Sequence, residues 1–179
     1  MNQIQPEVVI HQDQDNLDRL TPAPAEDASD TERIIRLVEL LFFAYRDFVS
    51  DPDAILTDFG FGRAHHRVLH FVGRNPGMRV SELLDILQIT KQSLGRVLRE
   101  LIEKGYVYQE EGKEDRRQRL LHLTESGNRL RLDLLEPQLK RIRAACSGVE
   151  DRGVGGETLL LSLINSENRD HVLRLLRSN

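Results

Sequence analysis

Apolar residues recur at helical spacing near the start of the patterned region: Ile34, Ile35, Leu37, Val38, Leu41, Phe42, Tyr45 and Phe48. That period predicts an amphipathic helix through about Val49. Ser29-Asp30-Thr31-Glu32 has capping-box spacing before it, and Asp51-Pro52-Asp53 is expected to end it. So many apolar positions exceed what one side of a small core needs, which calls for a second burial partner such as another subunit. A second helix is expected from about Arg63 to Gly73, with Val68, Leu69, Phe71 and Val72 apolar, followed by a turn at Asn75-Pro76-Gly77. Ser81 is expected to cap a short helix over Glu82 to Leu87, with Leu83, Leu84 and Leu87 inward. Thr90 then caps a longer helix that ends at Lys104-Gly105, where the lysine complements the helix C-terminus and the glycine suits a left-handed cap.

Strand-like residues follow at Tyr106-Val107-Tyr108, then a polar turn from Glu110 to Gln118 and a second strand at Arg119 to Leu123, which together read as a hairpin. Thr124 caps a long helix reaching about Cys146, and Pro137 is expected to kink it or reset its start. Gly148 to Gly156 reads as a glycine-rich break, and a last helical region covers Leu159 to Leu176 with an interruption near Asn165-Ser166. Residues 1 to about 28 are poor in periodic apolar positions and read as a solvated tail.

A short helix joined by a tight turn to a longer one is a helix-turn-helix, and the hairpin directly after it is a wing. The expected fold class is therefore mainly α with a small β-wing. Its parts are a tail over 1–28, an N-terminal helix over 29–50, a winged helix-turn-helix domain over 60–124, and C-terminal helices over 124–179. In the helix after Thr90, Leu94, Val97, Leu98 and Leu101 form one buried stripe. Gln92, Arg96 and Arg99 project from the opposite face, with Lys91 and Ser93 beside them. Gln and Arg on that face suit bidentate reading of adenine and guanine edges in the major groove. Gly95 costs about 1 kcal/mol inside a helix relative to alanine, which close approach of backbone to DNA or a neighbouring helix would rationalise. At the hairpin tip, Arg116, Arg117 and Arg119 are placed to meet the minor groove or flanking phosphates, and Asp115 to hold Arg117 in direction.

Overall charge points the other way. The chain has 25 Lys and Arg against 29 Asp and Glu, a net charge of -4, whereas a polyanion attracts basic surfaces. The acidic excess is concentrated early, in Glu7, Asp13, Asp15, Asp18, Glu26, Asp27 and Asp30 against Arg19 alone, while Lys91 to Arg99 and Arg116 to Arg119 are locally basic. A single cysteine, Cys146, precludes an intramolecular disulfide and fits a reducing cytoplasm. No apolar stretch is long enough for a membrane span, and Met1 to Ile10 does not read as a secretory signal. No Gly-x-Ser-x-Gly, phosphate-cradling glycine loop or His-Glu-x-x-His occurs, so neither catalysis nor a cofactor is expected.

The segment ITKQSLGRVLRELIEKGYVYQEEGKEDRRQRLLHLTESGNRL resembles the core of the MarR family. The signature is Asp115-x-Arg117 on the wing followed by Leu123-Thr124-x-x-Gly127, preceded by the VSELLDILQITKQSL helix-turn-helix. The string FFAYRDF, GFGRAHHRVLHFV, ITKQSL and DRRQRLL further resembles the PetP-type branch of that family. The resemblance implies a homodimer built by the first and last helices, a palindromic double-stranded DNA operator, and usually repression. It carries Gln92, Ser93 and Arg96 to the recognition helix and Arg117 to the wing tip. Gly95, the Gly148 to Glu157 stretch and the acidic tail depart from the pattern.

Two other readings compete. His66 and His70 stand four residues apart on one helix face, a spacing that suits a transition metal, with His65 beside them. A metal-responsive regulator would use that pair. A winged-helix protein-interaction module without DNA binding would fit the acidic balance. A small-molecule effector between dimer helices and winged domain would act by changing the separation of the recognition helices.

Overall fold

The structure, a computed structural model, describes residues 30–112, 118–147 and 153–177. The tail over 1–28 and the capping Ser29 lie outside them. The first helix, α1, spans Asp30–Asp58, with Asp30 and Glu32 in its first turn complementing the helix dipole. Its two halves differ. Ile34, Ile35, Leu37, Val38, Leu40, Leu41, Phe42, Phe43 and Tyr45 are between 44% and 68% exposed, while Val49, Pro52 and Leu56 are buried. The expected stop at Asp51-Pro52-Asp53 does not occur. Proline lacks the N–H that would serve the carbonyl four residues back; here the Gln138 Nε2 amide donates to that carbonyl, Phe48 O, over 3.5 Å. Pro52 itself is fully buried, so its ring packs instead of breaking the helix.

Helix α2 runs Arg63–Arg74 and buries His65, Val68, Leu69 and Val72. The turn after it places Gly77 at φ +83, with its N–H bonded to Leu121 O at 2.9 Å. That turn delivers a strand the hydrophobic pattern did not announce, β1 at Met78–Arg79. Two residues are too few to show an alternating period, so β1 exists through its partner strand. Helix α3 covers Val80–Leu87, with Arg79 rather than Ser81 at the cap. The strand leads straight into the helix, and the Glu82 carboxylate reaches back to accept the Arg79 N–H at 2.6 Å.

Helix α4 spans Lys91–Glu103. Gly105 follows at φ +76, where glycine avoids the Cβ penalty. Strands β2, Val107–Glu111, and β3, Arg119–Leu123, complete an antiparallel sheet of order β1-β3-β2. Its register pairs Met78 with Leu121 and Glu111 with Arg119. Helix α5 runs unbroken over Glu125–Ser147, so Pro137 does not reset its start. Helix α6, Val154–Leu163, begins inside the expected glycine-rich break, so Gly155 and Gly156 are helical. Glycine weakens a helix by only about 1 kcal/mol relative to alanine, so it disfavours a helix there without forbidding one. Helix α7 is Ser166–Arg177, and the interruption falls at Ile164–Asn165.

The core joins α2, α3, α4 and the sheet through Leu69, Val72, Leu83, Leu94, Leu101 and Leu121, each without exposed surface, and Leu134 of α5 closes it. The outward sides of the first half of α1 and of α6 remain apolar and exposed.

Candidate nucleic-acid interface

The sequence of α4 separates its faces. Leu94, Val97, Leu98 and Leu101 are at most 5% exposed and anchor the helix to the core. Lys91, Gln92, Gly95, Arg96 and Arg99 are exposed on the other side, and Ser93 is half-buried. Thr90 caps the helix: its Oγ1 accepts the Ser93 N–H at 3.1 Å and donates to Ser93 Oγ at 2.9 Å. Among the described residues a Cβ at Gly95 would meet nothing within 4 Å, so no neighbouring helix there explains that glycine. Among the described residues, Lys91, Arg96 and Arg99 form no ion pair.

The hairpin beside α4 is closed by Gly112 N–H donating to Gln118 O at 3.0 Å. Asp115, Arg116 and Arg117 lie outside the described residues. Arg119 is a cross-strand partner of Glu111, at 2.9 Å, which stiffens the base of the wing and leaves Arg119 partly neutralised. Arg79, Ser81, Gln118 and Arg119 line an open cleft where β1 meets the wing. Arg79 was not singled out from the sequence, because its place beside the wing follows from the two-residue pairing of β1 with β3.

The Leu123-Thr124-x-x-Gly127 motif has a packing cause. Thr124 Oγ1 donates to Gly105 O at 2.7 Å and accepts the Gly127 N–H at 3.0 Å. A Cβ on Gly127 would run into the Tyr106 carbonyl. The motif thus locks α5 against the segment joining α4 to the wing. Lys104 does not simply serve the end of α4. Its Nζ donates to Phe59 O at 2.6 Å and lies 4.5 Å from the centroid of the Phe61 ring.

The three histidines of α2 separate. His65 faces the core, stacked on Phe61 with ring centroids 4.5 Å apart. His66 and His70 are half-buried. Burial lowers the His66 pKa against a raising influence of Asp53. Burial, then His66, Arg131 and Arg74, push His70 down to about 4. Two arginines beside His70 disfavour a cation there. Among the described residues, no three His, Cys, Asp or Glu side chains stand close enough to hold a metal. Cys146 is half-buried. No helix among the described residues is long and apolar enough to cross a membrane.

Comparison with known proteins gives a consistent picture. The MarR family model matches residues 59–118. The chain is 45% identical over 141 residues to the HTH-type transcriptional regulator PetP of Rhodobacter capsulatus, covering 78% of this chain and 85% of that protein. It shares its fold with a MarR family transcription regulator of known structure at a TM-score of 0.64 and 17% identity, covering 74% of this chain and 89% of the other. It also shares it with Streptococcus pneumoniae FabT, crystallised in complex with DNA, at a TM-score of 0.60 and 20% identity, covering 80% and 99%.

Proposed function

Since this chain belongs to the MarR family, we propose that it is a transcriptional regulator that binds a palindromic DNA operator as a homodimer and represses by occluding the promoter. The observation that carries the reading is the exposed face of α4, where Gln92 stands beside Lys91, Arg96 and Arg99, three cations without ion-pair partners among the described residues. An arginine with no protein carboxylate to satisfy it offers its full charge to phosphate, and its fork to a guanine edge. The capped N-terminus adds backbone donors suited to phosphate.

In this reading Thr90, Lys91, Gln92, Ser93, Arg96 and Arg99 meet the major groove and nearby phosphates. Arg116, Arg117 and Arg119 supply the wing, with Asp115 directing Arg117. Arg79, at the wing base, joins them as a phosphate contact. The exposed apolar halves of α1 and α6 support a dimer built by the terminal helices. Such a dimer must set its recognition helices about one DNA turn apart, roughly 34–36 Å. The protein acts in the cytoplasm and performs no catalysis of its own. A small molecule between the dimer helices and the winged domain would alter that separation and release DNA.

The test is selection of random duplexes at low salt by the purified full-length protein, followed by affinity measured against salt. A selected inverted repeat and a steep negative salt slope support the reading. Failure to enrich any sequence, with the protein shown to be folded, would overturn it.

A further inference from the structure

Glu100 lies on α4 four residues after Arg96 and four before Lys104, so both cations are its natural helical partners. Neither takes it. Lys104 is held away by Phe59 O and the Phe61 ring. Arg96 has no ion-pair partner among the described residues. The Glu100 Oε2 instead meets His65 Nε2 at 2.9 Å. His65 is well placed to hold it. The ring is buried and stacked on Phe61, which fixes its plane. The Gly62 N–H donates to Nδ1 at 3.2 Å, and a backbone N–H can only donate, so the proton sits on Nε2. The imidazole therefore presents one fixed donor from α2 to a carboxylate on α4.

We propose that His65 is a positioning residue for the DNA-reading face: it draws the Glu100 carboxylate toward the core side of α4 and so keeps Arg96 free for DNA. This rests on the DNA-binding role of α4 given above. Without the donor, Glu100 turns along the helix to Arg96. One cation of the face is then neutralised and a negative charge stands close to the phosphates. Glu103, one turn beyond Glu100, carries the other carboxylate on this end of α4, but it lies farther from Arg96.

The experiment compares full-length variants on the duplex that the wild type selects. His65→Leu keeps bulk but removes the donor, and is expected to weaken binding roughly fivefold near 0.15 M salt and to shrink the log–log salt slope by about 0.9, as for one lost phosphate contact. His65→Gln retains an N–H donor and is expected to bind like the wild type. In the double variant His65→Leu/Glu100→Gln the carboxylate is gone, so affinity and slope are expected to return. A merely structural role for His65 would not be rescued by Glu100→Gln, and a double variant as weak as His65→Leu overturns the proposal. If His65→Leu does not fold, Glu100→Gln alone decides. A change under about twofold supports the proposal, and a tightening of fivefold or more overturns it, since Glu100 must then already be suppressing Arg96. Should the wild type bind no duplex, the DNA-binding reading itself fails, which is distinct from a wild type that binds and variants that show no rescue.

Discussion

The side-chain amide of Gln138 stands 3.5 Å from the carbonyl of Phe48, the acceptor that Pro52 leaves without its helical donor. Gln138 is 8% exposed, unusual for a glutamine, and it sits one residue after the proline of its own helix. Nearby, Arg141 pairs with Asp51 at 2.7 Å. The two contacts clip α5 to the turn of α1 that leads into Pro52. Replacing Gln138 by leucine leaves the Phe48 carbonyl without that donor. The expected loss is about 1–2 kcal/mol of unfolding free energy, read from urea denaturation. A leucine variant as stable as the wild type would show that the long hydrogen bond contributes nothing.

Gly127 meets the backbone of Tyr106 so closely that a methyl group has no room. Backbone cannot yield as a flexible side chain does. Gly127→Ala is therefore expected to destabilise by roughly 2–3 kcal/mol, through overpacking where α5 meets the segment before β2. A melting curve close to that of the wild type would contradict this close approach. Gly95→Ala, where a Cβ meets nothing within 4 Å, serves as the opposite control and is expected to stabilise by up to about 1 kcal/mol.

His70 links stability to pH. In the fold its pKa falls to about 4 from 6.5, chiefly through burial. Between those two values the unfolded chain binds a proton that the folded chain refuses, so stability is full above pH 6.5 and drains away as the pH drops toward 4. His66, lowered in the same direction, adds to the trend. His70→Asn removes the proton site and should flatten this part of the profile by about 1–3 kcal/mol, after allowance for partial solvation. Parallel profiles for the two proteins in denaturation titrations from pH 7 to pH 4 would refute it.

On the proposed reading, the face of α4 and the wing are expected to differ in what they contribute to DNA binding. Arg117→Ala removes a single wing cation, so the salt slope should shrink by about 0.9 while sequence preference is largely kept. Arg96→Ala is expected to cost about 1–3 kcal/mol of discrimination at one operator position if its fork reads a base. Binding isotherms on the selected duplex and on single-base variants separate the two. Equal losses on every duplex from Arg96→Ala would place that arginine on phosphate.

The apolar surface of α1 gives a test of assembly. Phe42 is 68% exposed and Leu41 44%, on a helix face that no part of the described chain covers. Leu41→Glu/Phe42→Glu places charge on that face and is expected to shift the protein from dimer to monomer in sedimentation equilibrium, with DNA affinity falling alongside. A dimer unchanged by both substitutions would mean that another surface joins the subunits.

Much of this architecture is written in short stretches of sequence. Thr90, the Leu94-Val97-Leu98-Leu101 stripe and Gly105 mark α4 from cap to stop, and each signal acts within a turn or two of chain. The hairpin, its second strand 119–123 and the Thr124 cap were legible for the same reason, but the first strand runs on through Glu110 and Glu111, where a turn was expected, because Leu120 and Arg119 pair with them. The exposed half of α1 was likewise foreshadowed by its surplus of apolar positions. Tertiary structure alone decided the rest. Helix α1 passes Pro52 because a donor arrives from Gln138, far along the chain. Strand β1 exists because β3 offers it an edge. His65 turns away from His66 and His70 to hold Glu100, and Lys104 leaves its own helix end for Phe59 and Phe61. Caps and periodicity are energies between residues close in sequence, so a single stretch reveals them. An orphaned carbonyl, a free sheet edge or a carboxylate with three candidate partners is resolved only when packing brings one partner within reach.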